Sequence, residues 1–221
     1  MKTRLDRLAP LTGVLSALLG IAGFGMARPG PGSASAGSAV VAFYAKHATS
    51  QQIADILLML SGACLVAFAA LLRARLRRVP AGDPFAAATL AGAAVVAAGA
   101  ATYFGADYAL AADPGNLAPA AAQALNLLGL KLFLPVSAGV LIFGVAAGIG
   151  ILRSGQLPKW LGVVAIAIGI VGATPVTLAA LFALFVWSAI SGLILWSRSR
   201  DAATTQAGAG SPAAVPASQA F

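Results

Sequence analysis

Three charged residues of this chain stand where charge is expensive. Asp55 lies just inside one apolar run, Asp107 follows another, and Lys131 sits within GLKLFLPVSA, Gly129 to Ala138. Opposite charges at one depth of an apolar layer can pair, and ionisable residues so placed mark ligand or proton sites. The basic residues at the far ends of the runs serve as a ruler. Lys131 stands 22 residues before Arg153, roughly 33 Å of helix. Asp107 stands 23 residues beyond Pro84, roughly 34 Å, and Asp55 stands 18 before Arg73, roughly 27 Å. All three reach one rim, a candidate charged cluster in which Lys131 pairs with Asp55 or Asp107. The competing reading is structural. Lys131 then snorkels to headgroups, Asp107 is ordinary loop, and Asp55 favours a helix N-terminus through the dipole.

Other chemistry-bearing residues are few. His47 is the single histidine, a possible pH sensor at the outer surface against the plainer role of a solvated loop residue. Cys64 is the single cysteine and lies in an apolar run, as a buried small hydrophobe does. One cysteine and one histidine make neither an intrachain disulfide nor a metal cage. No phosphate-binding loop, nucleophile elbow, zinc helix or pair of carboxylates deep in the layer is present. One loop histidine is poor support for a haem ligand. The sequence therefore points to no catalytic residue, no cofactor and no metal.

Composition sets the solvent. Of 221 residues, 60% are hydrophobic and 9% charged, against about 25% charged in a soluble domain. The six acids are all Asp. Such a chain is built for lipid, as an all-α polytopic transmembrane bundle. The net charge of +8 does not imply nucleic acid, because the basic residues cluster at the ends of apolar runs and no nucleic-acid motif accompanies them.

Six spans are expected, at about 8–27, 53–72, 84–104, 130–152, 160–174 and 176–196, making residues 1–200 one transmembrane domain. Residues 201–221, rich in Ala, Gly, Ser and Thr, cannot bury enough apolar area to fold and are expected to be a disordered cytoplasmic tail. The first run follows Lys2, Arg4 and Arg7 and precedes small residues, as in a secretory signal. Its length, nearer 20 residues than 7–15, favours an uncleaved helix. Thr49 and Gln52 have capping-box spacing, so the second helix is expected to start near Thr49. Asp83–Pro84 reads as an N-cap followed by an N1 proline. Gly155 reads as the C-cap of the fourth span. The last apolar block, 161–196, is too long for one crossing of a ~30 Å core, and GATPVT, Gly172 to Thr177, splits it in two. One kinked element is the rival. Pro135 bends the fourth helix or marks its first regular turn.

Charge orients the bundle. With both termini cytoplasmic, eleven of the fourteen basic residues fall inside, leaving Arg28, Lys46 and Lys131 outside. Outside, VVAFYAKHA reads as a short helix lying in the interface. Pro114–Gly115 reads as a type II turn, and Pro119–Leu128 as helix. Tyr103, Tyr108, Trp160 and Trp196 stand near span ends as interfacial anchors. Trp187 falls mid-span, and its indole N–H needs a partner, with Ser188 or Ser191 nearby. Small-residue spacings at Gly144/Gly148, Ala165/Gly169 and Ser188/Gly192 suit close helix packing.

The segment LKLFLPVSAGVLIFGVAAGIGILRSGQLPKWLGVVAIAIGIVGATPV, above all Arg153–Gly162, resembles a pattern of small multi-pass membrane proteins of the actinobacterial type. SAVVAFYAKHATSQQIADIL resembles their first outer loop and second-helix start. The resemblance spans about Ala34 to Trp196. It implies six helices and a bacterial inner membrane, and no activity, because those proteins are domains of unknown function.

Two functions remain in view. One is a non-enzymatic membrane protein that binds a lipid, a protein partner or a second copy of itself. The other is a small transporter or channel subunit with a charged site near Asp55, Asp107 and Lys131. The middle of the bundle offers only Ser61, Thr89, Ser137, Ser188 and Ser191, a thin polar lining for transport.

Overall fold

In the computed structural model, residues 8–209 are described, with side chains through Arg200. Lys2, Arg4 and Arg7 lie outside them, as do residues 210–221 of the expected tail. The described chain is all-helical. The helices are α1 (Leu11–Met26), α2 (Gly37–Leu76), α3 (Asp83–Ala112), α4 (Pro119–Lys131), α5 (Leu134–Ser154), α6 (Lys159–Gly172) and α7 (Thr177–Ala209), with single 3₁₀ turns at Pro80–Gly82 and Pro114–Asn116.

Four stretches are long and apolar enough to cross a membrane: Gly37–Leu76, Pro80–Ala112, Pro119–Ser154 and Thr177–Arg200. The other two expected spans are shorter apolar helices, Leu11–Met26 and Lys159–Gly172. The burial pattern of α1 inverts that of a water-soluble helix. α1 buries Gly13, Ser16, Ala17, Gly20 and Gly23 and exposes Leu15, Leu18 and Ile21. Small residues inside and large aliphatics outside suit a solvent as apolar as leucine, where close backbone approach holds helices together.

The small-residue spacings sit at helix contacts. A Cβ added at Gly144 on α5 would stand 2.6 Å from the Ala165 carbonyl oxygen and 2.7 Å from the Gly169 Cα, both on α6. One at Gly148 would stand 2.5 Å from the Gly162 oxygen. The third pair joins α7 to α1: the Ser188 hydroxyl donates to the Gly13 carbonyl at 3.2 Å, and Gly192 packs on Pro10. α1 also exchanges two bonds with α2, Ser16 Oγ to the Ser61 carbonyl at 2.9 Å and Ser61 Oγ to the Ser16 carbonyl at 2.7 Å. At the centre Trp187 meets Phe68 and Phe143 edge-on, with centroids 6.2 and 5.8 Å apart. Its indole N–H donates to the Leu161 carbonyl at 2.9 Å, rather than to a serine of its own helix.

Several boundaries agree with the sequence pattern. Gly155 ends α5 at φ 63°, the left-handed conformation that favours glycine. Pro135 stands in the first turn of α5, which begins afresh after a turn at 132–133. GATPVT divides α6 from α7. Trp187 and Leu161 lie at nearly equal sequence distance from that turn, so the two helices form an antiparallel hairpin.

Other expectations need correction. α2 starts at Gly37, not Thr49, so VVAFYAKHA continues the second helix instead of lying flat in the interface. At 40 residues it is about 60 Å long, twice the apolar thickness of a bilayer. The Gln52 amide donates to the Ala111 carbonyl at 2.8 Å, so it joins α2 to α3 rather than closing a capping box. Pro114–Asn116 is a 3₁₀ turn; among described residues only Gly155 has the positive φ that a type II turn would require of Gly115. Asp83 does not cap α3 through its side chain but pairs with Arg77 Nε at 3.1 Å. α7 runs on to Ala209, so the first part of the expected disordered tail is helical.

The extra length of α2 and α3 builds a second, smaller core above the bundle. Val40 and Tyr44 of α2, Leu110 and Ala111 of α3 and Ala122 of α4 form it, with Phe43, Leu117 and Leu125 against them. The two outer loops of the sequence are thus one packed cap. Gly37 meets the Pro119 backbone so closely that no side chain fits there.

Candidate functional site

Asp55 and Asp107 come together where the cap meets the bundle. Asp55 is on α2 and 1% exposed. Asp107, half-buried on α3, lies within hydrogen-bonding reach of it. Three polar side chains complete the cluster. Tyr44 donates its hydroxyl to Asp107 Oδ1. Gln51 Nε2 donates to Asp107 Oδ2 at 3.1 Å, while Gln51 Oε1 accepts the Arg28 backbone N–H at 2.7 Å. Tyr103, half-buried, is close enough to both carboxyls to feel their charge. Tyr44 and Gln51 are 2% and 3% exposed, so the cluster is sealed on the α2 side. Asp55 Oδ2 is buried without a hydrogen-bond partner.

Helical spacing explains the convergence. Tyr44, Gln51 and Asp55 fall at i, i+7 and i+11, one face of an α-helix. Tyr103 and Asp107 fall at i and i+4 on the facing helix. Asp55 and Asp107 were legible as candidates in the sequence, whereas Tyr44, Gln51 and Tyr103 were missed. The i, i+7, i+11 signal is present but hidden by starting the second helix at Thr49, which leaves Tyr44 outside it.

Lys131 stands apart. It is exposed at the last residue of α4 and makes no ion pair with either aspartate. Among the described residues the one ion pair is Arg77–Asp83, at the opposite end of the bundle. His47 lies on α2, not in a loop, half-buried with its ring 5.0 Å from that of Phe43. It belongs to the cap, not to the carboxyl cluster.

Beside the cluster lies an open groove of about 290 Å³, lined by Phe24, Tyr103, Leu130, Phe133 and Leu178. Its cause is the shortness of the α6–α7 hairpin. The turn stops level with Val140 and Ser137 on α5: Gly172 packs on Val140, and the Thr177 and Ser137 hydroxyls are 3.0 Å apart. That leaves more than a turn of the space beside α5 and the α4–α5 break unfilled. The hairpin turn satisfies its own polar groups. Thr177 Oγ1 donates within reach of the Gly172 and Thr174 carbonyls at 2.9 and 2.7 Å, and Thr174 Oγ1 donates to Val171 at 2.6 Å. Backbone closed in this way suits a turn that ends inside an apolar layer. Tyr103 is shared: its ring lies edge-on to Phe133, centroids 5.4 Å apart, on the groove wall, and it borders the carboxyls. Deeper in the bundle, a cavity of about 20 Å³ between Phe24, Leu58, Leu65, Phe104 and Phe185 is almost wholly apolar, with room for no more than a water.

The opposite end gathers positive charge. Arg75 of α2 lies near Arg198 of α7, Arg198 Nη1 donates to the Gln156 carbonyl at 2.7 Å, and the Arg153 guanidinium sits 5.0 Å above the Phe85 ring. No protein-family model, curated protein or solved structure matches the chain.

Proposed function

We propose that this is a bacterial inner-membrane protein of six spans, both termini cytoplasmic, that binds a phospholipid in the groove without catalysing a reaction. The carrying observation is the groove itself. Its walls are apolar, its volume is at the lower bound of small-molecule sites, and its flanking residues Leu130 and Leu178 are exposed. An acyl chain fits such walls. Lys131, next to Leu130 in sequence and without a carboxylate partner, would receive the phosphate. The basic end, with Arg73, Arg75, Arg77, Arg78, Arg153, Lys159, Arg198 and Arg200, supports a cytoplasmic location for that end. Six crossings make α1 and α6 spans as well, about 24 and 21 Å long, short for a ~30 Å core but shielded by longer neighbours.

Native mass spectrometry of protein extracted with its lipids tests the reading. Retained phospholipid is expected, reduced by Leu178→Trp, which fills the groove, and by Lys131→Gln. Equal retention in all three proteins, or a retained protein partner with no lipid, would sink it. A C-terminal phosphatase fusion should be inactive outside the cell; an active one refutes the orientation. The transporter reading draws on Asp55, buried, and Asp107, half-buried.

A further inference from the structure

We infer that Asp55 and Asp107 form a proton-binding site, in which one exchangeable proton is shared between the two carboxyls and fastens the outer cap to the bundle. Two ionised carboxylates are acceptors only, so carboxyls within hydrogen-bonding reach of each other require a proton between them. Asp55 Oδ2 is an oxygen of a 1% exposed side chain with no hydrogen-bond partner. A bare carboxylate left so would bear an uncompensated charge away from water, whereas a protonated one is neutral.

No cation stands in for the proton. The groups facing the pair are Tyr44 and Gln51 from α2 and Tyr103 from α3, all uncharged donors. The segment after α1 contributes the Arg28 backbone N–H, through Gln51, and α4 sends Ala122 and Leu125 to the cap core. No lysine, arginine or histidine among the described residues forms an ion pair with either aspartate. Carboxyls at such spacing hold one proton in common because two adjacent negative charges repel.

The location gives the proton something to control. Tyr44 belongs to the cap core, while Leu58 and Phe104, within one helical turn of the aspartates, belong to the bundle core. Loss of the proton to solvent, through the half-buried Asp107, leaves two negative charges between α2 and α3 at the seam. They push apart the helix ends that carry the cap, beside the Tyr103 wall of the groove. The inference stands independently of lipid binding.

Infrared titration of the full-length protein in nanodiscs tests it. The wild type should show a protonated-carboxyl stretch at about pH 6, where exposed aspartates are ionised. The band should be lost in Asp55→Asn and persist in Tyr44→Phe. Thermal stability gives the second readout. A proton bound in the fold and lost as pH rises contributes stability at low pH that disappears at high pH. The wild-type midpoint should fall with rising pH, and Asp55→Asn, whose amide donates permanently, should flatten that fall. His47→Gln, which removes the histidine of the cap, should leave the slope unchanged. A band absent from the wild type, a band that survives Asp55→Asn, or equal slopes in wild type and Asp55→Asn would overturn the inference.

Discussion

Gly144→Ala should destabilise the bundle, although alanine is the better helix former. The added Cβ would stand 2.6 Å from the Ala165 carbonyl oxygen, and ordinary contact begins at 3.4 Å, so α5 and α6 must part by 0.8 Å (3.4 − 2.6). The obstruction is backbone, which cannot rotate aside. A gap of that size forfeits a quarter to a half of the dispersion energy of contacts across the seam. Overpacking of this kind costs about 1–3 kcal/mol, while replacing glycine in a helix interior returns about 1 kcal/mol. The net loss is thus about 0–2 kcal/mol, and the gap to a glycine replacement without the clash is about 1–3 kcal/mol. Gly105→Ala is the control, because nothing lies within 4 Å of its added Cβ inside α3. It receives the propensity gain alone and should stabilise slightly. Thermal unfolding in mild detergent, followed by tryptophan fluorescence, compares the two. If Gly144→Ala melts at or above Gly105→Ala, the close α5–α6 seam is wrong.

The remaining expectations are smaller. Trp187→Phe leaves the Leu161 carbonyl without its indole donor and should cost about 1 kcal/mol, whereas Trp160→Phe, 50% exposed, should be neutral in the same melt. Ser61→Ala breaks the exchange with Ser16 and should cost about 0.6–2 kcal/mol, the range of interhelical polar contacts in membranes, in a detergent-unfolding titration. Asp83→Asn severs the ion pair with Arg77, whose side chains are 58% and 56% exposed, and should move the melting midpoint by no measurable amount. Lys131→Ala should leave stability equally unmoved, since the lysine pairs with neither aspartate; a clear drop would restore the pairing.

What the sequence reveals here depends on how local the signal is. Gly155, Pro135 and GATPVT act on their own backbone, and each delivers the boundary its chemistry dictates. Small-residue spacings were weak evidence in a chain so rich in Ala and Gly, yet Gly144, Gly148 and Ser188 lie at seams because nothing else lets backbones approach. Thr49 and Gln52 misled for the opposite reason. A capping box is a pattern of two side chains, and the α2–α3 seam claims Gln52 for Ala111, while Val40 and Tyr44 bury enough apolar surface to carry the helix straight through. The depth count from Arg73 and Pro84 placed Asp55 and Asp107 together. It left open the helix rotations that turn them toward each other and leave Lys131 facing out.

With the bundle in lipid and the cap in water, as proposed, the two cores obey different solvents, and the aspartates sit between them. In the bundle, lipid is as apolar as any side chain, so packing and backbone approach decide association, and glycine is the residue that matters most. In the cap, Val40, Tyr44, Leu110, Ala111 and Ala122 withdraw from water, and apolar area decides. A denaturant that solvates apolar and peptide groups in water therefore acts on the cap first, while a substitution that separates helices acts on the bundle. Asp55 and Asp107 are coupled to both: Gln51, one turn before Asp55, bonds Asp107 across the α2–α3 seam, and Tyr44 on Asp107 ties it to the cap. A cap loosened by urea should weaken the proton's effect on stability, because the charges it neutralises would then reach water. A bundle loosened at Gly144, on the α5–α6 seam, should leave the effect intact.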